Sequence, residues 1–341
     1  MNETVRPALF LTLGLILAAG LAGPARAQDA ALIAKAKREG TVSLYSVSPT
    51  PVLQAIADRF TQAYGVKVEV FRAGGAQIEQ KLYLEMRSGR VAADLVELGD
   101  ATAINQIAAK GGIAAYKPAN AAGLATALLD PKGNWVTIAQ HVYPIVYNSQ
   151  KVATADAPKS YKDLADPKWK DKLVLASPNY GSTQTTLVKG LVELDGWGFV
   201  EKLKANNAMV ARGFPDLENA ISTGERLVGI DISIRLVEAL KQGAPLGFVF
   251  PADGTVAVQD VLAITEAAPH PNAARLLEEF FLSDELQRFL QTAGMYPVKA
   301  GAGSPGQLPA LASLNLHYVD LVELEAQRQD MISQWTDLVE R

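Results

Sequence analysis

Short apolar runs alternate with longer stretches of helical period along most of this chain, and glycine, aspartate or serine marks most of the changes between them. Residues 30–38 read as a helix that Gly40 stops. Thr41, Val42, Ser43, Leu44 and Tyr45 read as a strand running into the polar turn Ser46-Val47-Ser48-Pro49. Pro51 can open the next helix, because the N–H it lacks is one that a first helical turn leaves unbonded anyway. Val52, Ile56, Phe60 and Tyr64 recur at four-residue spacing along one face, and Gly65 ends the helix. Residues 66–71 alternate as a second strand. The unit then repeats, with the loop Arg72-Ala73-Gly74-Gly75, a helix over 76–88, a strand over 94–98, and Gly99-Asp100 ahead of another helix.

The second half uses the same grammar after a bridge over 143–148 that contains Pro144 and predicts passage into a second lobe. A strand over 173–175 leads through Ser177-Pro178-Asn179-Tyr180-Gly181 to Ser182 and Thr183, which start a helix reaching Asp195. A strand over 227–230 leads through Asp231-Ile232-Ser233 to a helix over 234–242. Strands over 246–250 and 256–264 flank Pro251-Ala252-Asp253-Gly254 and carry the chain back toward the first lobe. From about Leu308, the residues Leu314, Leu316, Val319, Leu321, Val322, Leu324 and Met331 stand among charges and read as one or two amphipathic helices.

This is α/β organisation in a chain of 341 residues, longer than the typical domain of about 100–150 residues, so two lobes are expected. The predicted division puts 28–146 with 254–290 in lobe 1, and 147–253 with 291–341 in lobe 2. Arg6, an apolar run over 8–22 and the tripeptide Ala25-Arg26-Ala27 read as a cleavable signal peptide over 1–27. The run falls short of the roughly 20 residues that span a bilayer. Export to the periplasm follows. Cysteine is absent, so neither a disulfide framework nor a lipidated anchor is expected. Cleavage would remove Glu3, Arg6 and Arg26, a net +1, and take the formal charge from −4 to −5, which speaks against a nucleic-acid binder.

The order of several segments resembles that of the extracellular solute-binding proteins of ABC transporters, in the group that includes the ferric-ion-binding proteins. The segments are Gly243-Ala244-Pro245, Val249-Phe250-Pro251-Ala252-Asp253-Gly254-Thr255, Pro269-His270-Pro271-Asn272-Ala273-Ala274, Phe280-Phe281-Leu282-Ser283 and Tyr296-Pro297-Val298. Asp166-Pro167-Lys168-Trp169-Lys170, Ala93-Asp94-Leu95-Val96 and Gly74-Gly75 add earlier echoes. The resemblance implies a two-lobed periplasmic-binding-protein fold of type II, with a ligand cleft between lobes joined by crossing strands. It also implies a monomer that hands a small solute to a permease in the inner membrane. In the ferric branch a pair of tyrosines follows the strand that corresponds to 227–230. This chain instead reads Asp231-Ile232-Ser233-Ile234-Arg235, with no tyrosine pair, and isoleucine and serine cannot replace the anionic oxygens a hard cation needs. Iron stays open as an alternative if Tyr45, Tyr143, Tyr147 and Tyr180 converge from separate loops.

In open α/β sheets, ligands gather beyond the carboxyl ends of strands. The loops there nominate Ser46, Ser48, Arg72, Gly74, Gly75, Asp100, Tyr143, Tyr180, Gly181, Ser182, Thr183, Asp231, Ser233 and Arg235 as ligand-binding residues. Gly181, Ser182 and Thr183 offer unpaired N–H groups to an anion, and Ser182 could equally cap its own helix. Arg72 and Arg235 are the candidates for a bidentate clamp on a carboxylate or phosphate. Asp100 and Asp231 could receive an amine, so the solute is expected to be anionic or zwitterionic. A secreted hydrolase is the rival class, but there is no G-x-S-x-G or S-x-x-K motif, no thiol, and His141, His270 and His317 are scattered. Glu278 with Glu279 and Asp284 with Glu285 read as solvated helix faces. No catalytic residue, metal ligand or cofactor is expected.

Overall fold

The computed structural model describes residues 24–99, 101–319 and 321–341. Most of the expected signal segment, up to residue 23, and the candidate Asp100 lie outside the described residues. In chain order the strands are β1 (Thr41–Ser46), β2 (Lys67–Arg72), β3 (Leu95–Leu98), β4 (Ile113–Ala114), β5 (Val136–Val142), β6 (Ile145–Asn148), β7 (Leu173–Ala176), β8 (Met209–Ala211), β9 (Val228–Ile230), β10 (Leu246–Val249), β11 (Thr255–Thr265), β12 (Tyr296–Pro297) and β13 (Leu316–Tyr318).

They form two mixed sheets, one per lobe. The first has the order β12-β5-β11-β3-β1-β2, with β4 and β13 also on β11, and the second has the order β10-β6-β9-β7-β8. Within each, the strands that feed helices run parallel, β1 beside β2 and β3, and β7 beside β8 and β9. The chain crosses between sheets from β5 to β6 through Tyr143 and Pro144, and returns from β10 to β11. The two crossings are tied together: Tyr143 N donates to Val256 O at 3.0 Å. The buried Tyr161 hydroxyl donates to Tyr143 O at 2.5 Å and accepts from Val256 N at 3.2 Å. A buried phenol with both donor and acceptor satisfied fixes geometry without leaving an unpaired polar group.

Local sequence accounts for the layers around the sheets. The helix Thr50–Tyr64 buries Leu53, Ile56, Ala57 and Phe60, and stops where Gly65 adopts a left-handed φ of 69° and donates to Thr61 O. Val52 and Tyr64, expected at the centre of that stripe, lie at its half-buried margin. The helix Ser182–Asp195 of the second lobe lies directly on the returning strand, because Gly190 presents no side chain there. A Cβ at Gly190 would come within 2.6 Å of Val256 Cγ2.

Four expectations are corrected. Strand β2 buries only Val68 and leaves Val70 and Phe71 exposed, because it is the edge of its sheet. Residues 314–319 are not helical: Leu316, His317 and Tyr318 form β13, parallel to β11, and the C-terminal helix is Leu321–Trp335. Strands β12 and β13, expected in lobe 2 from sequence, join the first sheet, while Thr292 and Gly294 beside β12 meet Lys241 and Ile234 of the second lobe. A strand of two or three residues carries too little periodicity to announce its partner. Glu278 is not solvated but buried, and Glu279 accepts from the Tyr116 hydroxyl at 2.8 Å and from Ala119 N at 2.7 Å. The C-terminal helix instead meets the second lobe, where Lys189 Nζ pairs with Glu323 at 2.6 Å. No helix among the described residues is long and apolar enough to cross a membrane.

Candidate functional site

Parallel strands point their carboxyl ends the same way, and in this molecule the ends from the two sheets face each other. Thr183, the second residue of the helix Ser182–Asp195, lies against Gly99 at the end of β3. A Cβ on Gly99 would stand 3.9 Å from Thr183 Cγ2 and 3.9 Å from Asp260 Oδ1. The hydroxyl of the buried Tyr143 donates to Thr183 O at 2.8 Å. The turns of both lobes therefore meet across one cleft.

The nominated residues divide into two groups. Ser46 and Ser48 are buried at the end of β1 and both donate to Glu97, Ser48 to Oε1 at 2.5 Å; Ser48 N also donates to Ser46 Oγ at 3.0 Å. Arg72 is exposed and reaches the carbonyls of Val47 and Ser48 at 3.5 Å, with no ion pair among the described residues. Gly74 caps the helix Gly75–Ser88 with extended backbone. Gly181 caps Ser182–Asp195, Thr183 is half-buried, and Tyr180 is exposed.

The β9 loop behaves differently. Asp231 and Ser233 are fully buried, and Ser233 Oγ accepts from Val142 N at 3.4 Å. Arg235 is engaged by Glu218 through two hydrogen bonds of 2.8 and 3.0 Å. Its guanidinium is thus already paired inside the second lobe, which argues against the expected role as an anion clamp. Burial, and then the Glu218 charge, hold the Asp231 carboxyl well above the usual carboxylate range, so it is a poor receptor for an exposed amine.

Three buried groups that sequence reading passed over complete the lobe 1 side. Glu97 stands opposite Ser46 in the β1/β3 register. Asp260 sits on β11 where the register with β5 shifts, and such bulges re-aim a side chain. His141 Nε2 lies 2.6 Å from Asp260 Oδ2. The signal was present: each is the one ionisable residue of its strand. Arg212, just beyond β8, was also missed; its guanidinium lies 5.9 Å from the Tyr180 ring and forms no ion pair among the described residues.

Burial and the neighbouring Asp260 carboxylate push the Glu97 carboxyl up to about 7. With a folded value above the unfolded one, the stability Glu97 contributes is complete below about pH 4 and is lost as pH rises toward 7, a change on the order of 3 kcal/mol. Denaturant titrations should therefore show Glu97→Gln gaining on the native chain by about that amount between pH 4.5 and 7.5. A constant difference across that range would refute the assignment.

The tyrosines do not gather. Tyr45 donates to Glu85 at 2.7 Å, Tyr147 to Thr154 at 3.2 Å, and Tyr180 stands at the surface. Among the described residues no group of three or more His, Asp or Glu side chains is placed to hold a metal ion. Surface hollows of about 410 Å³ along the helix Gly75–Ser88 and about 350 Å³ beside Lys162 and Phe199 involve none of the cleft residues.

The profile of the bacterial extracellular solute-binding protein family matches residues 91–317. The Fe(3+)-binding periplasmic protein of Serratia marcescens is 26% identical over 318 residues, covering 84% of this chain and 87% of its own length. A Salmonella typhimurium protein named "Putative 2-aminoethylphosphonate-binding periplasmic protein" is 24% identical over 265 residues, covering 73% of this chain and 76% of its own. Among solved structures, the periplasmic binding protein AfuA of Actinobacillus pleuropneumoniae, with fructose-6-phosphate bound, superposes with a TM-score of 0.75 at 24% identity over 88% of this chain and 99% of that one. That last likeness speaks for the fold.

Proposed function

The chain belongs to the bacterial extracellular solute-binding protein family, and from that premise we propose that it captures a small phosphonate- or phosphate-bearing solute between its lobes and delivers it unchanged to an ABC permease. The observation that carries this reading is the meeting of Gly99 with Thr183 at a helix N-terminus; Arg72, against the β1 turn, and Arg212, near Tyr180, add two guanidinium groups without ion pairs among the described residues. Unpaired N–H groups and the partial positive charge at a helix start suit an anion, and arginine forks suit its oxygens.

In this reading Gly181, Ser182 and Thr183 hold the anion from lobe 2, while Arg72 and the turn at Gly74 and Gly75 approach from lobe 1. Closure shifts the population toward the form with both lobes on the solute, by as much as the solute prefers that form. The N-terminal segment acts as a cleavable export signal, the mature chain works as a periplasmic monomer, and no bond of the solute is broken. Iron is the second reading, favoured by the Serratia relative, but the loop Asp231-Ile232-Ser233 offers no anionic oxygen to the cleft that is not already buried.

Calorimetric titration with ethylphosphonate tests the anion site. Arg72→Ala and Arg212→Ala should each weaken binding about 10-fold, the worth of one charge-assisted hydrogen bond, without lowering the melting temperature. Unchanged affinity in both variants would remove the clamp. Mass spectrometry of the recovered probe separates binding from turnover, since a binding protein returns it intact.

A further inference from the structure

The cleft has a second pole, of opposite sign. Asp260 is only 4% exposed. Its Oδ2 is engaged by His141, while its Oδ1 makes no hydrogen bond among the described residues and lies on the side of Gly99 and Thr183. A carboxylate oxygen this deeply placed is costly unless something pairs with it. The register between β11 and β5 shifts at Asp260/Val261, an irregularity of the kind that re-aims a side chain, and Oδ1 lies 3.9 Å from where a Cβ on Gly99 would stand. His141, held in β5 two residues before the crossing, fixes the carboxylate from behind, so that Oδ1 alone is presented forward.

The surrounding groups bear on what could fill the gap. Glu97 is occupied by the hydroxyls of Ser46 and Ser48. The Tyr143 hydroxyl gives its proton to Thr183 O, and burial, then the Asp260 charge, hold the Tyr143 phenol well above its usual range. Neither therefore donates to Asp260 Oδ1. Lys189, the one buried lysine among the described residues, is paired with Glu193 and Glu323. The protein thus carries an acceptor on a buried side chain and, among the described residues, supplies no donor for it.

We infer that Asp260, positioned by His141, receives a primary ammonium group of the solute, so that the cleft takes a zwitterion with its anion on the helix start at Gly181, Ser182 and Thr183 and its amine on β11. This rests on the anion site proposed above and narrows the solute from any small phosphonate or phosphate to an amino-bearing one. Asp260 would be the residue that sets this preference, and His141 a positioning residue.

Titration calorimetry of the full chain with 2-aminoethylphosphonate and with ethylphosphonate, which differ only in the amine, tests it. The native protein should bind the amine-bearing probe about 10- to 100-fold more tightly, the range expected for a charged hydrogen bond in a buried site. Asp260→Asn should bring the two affinities to within about threefold of each other while keeping the affinity for ethylphosphonate. His141→Gln should narrow the preference and keep part of it. If ethylphosphonate binds and the amine adds nothing in the native protein, the inference fails while the anion site stands. If neither probe binds, the anion site itself fails and the inference with it. The comparison within the native chain decides the matter even if Asp260→Asn does not fold.

Discussion

Replacing Arg235 by alanine should destabilise the protein by about 2–3 kcal/mol and leave solute affinity within about threefold of the native value. The guanidinium makes two hydrogen bonds to Glu218, whose side chain is 12% exposed, and Asp231 lies fully buried close by. Removing the cation leaves two buried acidic groups facing each other with no counter-charge. Breaking a fully buried pair costs about 3–5 kcal/mol, and the partial exposure of Arg235, 34% of its side chain, reduces that. Arg235→Lys should recover part of the loss, since an ammonium restores the charge but not the two-pronged geometry. Urea denaturation and calorimetry on the same preparations separate the two roles. A variant of native stability with greatly reduced affinity would return Arg235 to the binding site.

The second large effect is functional. Gly99→Phe should weaken solute binding by at least about 100-fold while the fold persists, and Gly99→Ala should change it less than about threefold. Gly99 is not among the residues with left-handed φ, so a side chain meets no backbone strain. A Cβ there would make ordinary contacts of 3.9 Å with Thr183 Cγ2 and Asp260 Oδ1, so alanine fits. A phenyl ring would extend into the space where the two lobes meet and hold them apart, and a packed interface gives way only at a cost of a few kcal/mol. Calorimetry with a melting curve for each variant measures both properties. Native affinity in Gly99→Phe would show that this junction is not where solute is held.

What the sequence could convey is visible in particular elements. The helix Ser182–Asp195 is bounded by Gly181 and Gly196, and its start and end match the pattern of apolar and polar residues. Strand β7 and the helix Gly75–Ser88 were legible for the same reason: each is long enough, or framed clearly enough, for its period to show. The short strands β4, β8, β12 and β13 were not, because two or three residues have no period and pair only by virtue of what surrounds them. The candidate site was half legible. Strand-to-loop transitions pointed to Ser46, Ser48 and Arg72, which hydrogen-bond with one another or through Glu97, and to Tyr143 and Thr183, which hydrogen-bond to each other. The same rule also nominated Asp231 and Arg235, and only packing reveals that Glu218 and burial engage them.

The opposite error occurred inside strands. Glu97, His141 and Asp260 sit inside strands and not in the loops that follow them. Their proximity comes from sheet order, β5-β11-β3, which places three distant segments side by side. A charge buried in a central strand is costly enough to be informative on its own.

The absence of cysteine allows the central claim to be tested without background labelling. Gln80 and Lys202 are exposed, on helices of opposite lobes. Spin labels on Gln80→Cys and Lys202→Cys report the distance between lobes by double electron–electron resonance. If the lobes close on a solute, saturating 2-aminoethylphosphonate should collapse the distance distribution to one shorter, narrower population. A distribution unchanged by a probe that calorimetry shows to be bound would contradict capture between the lobes.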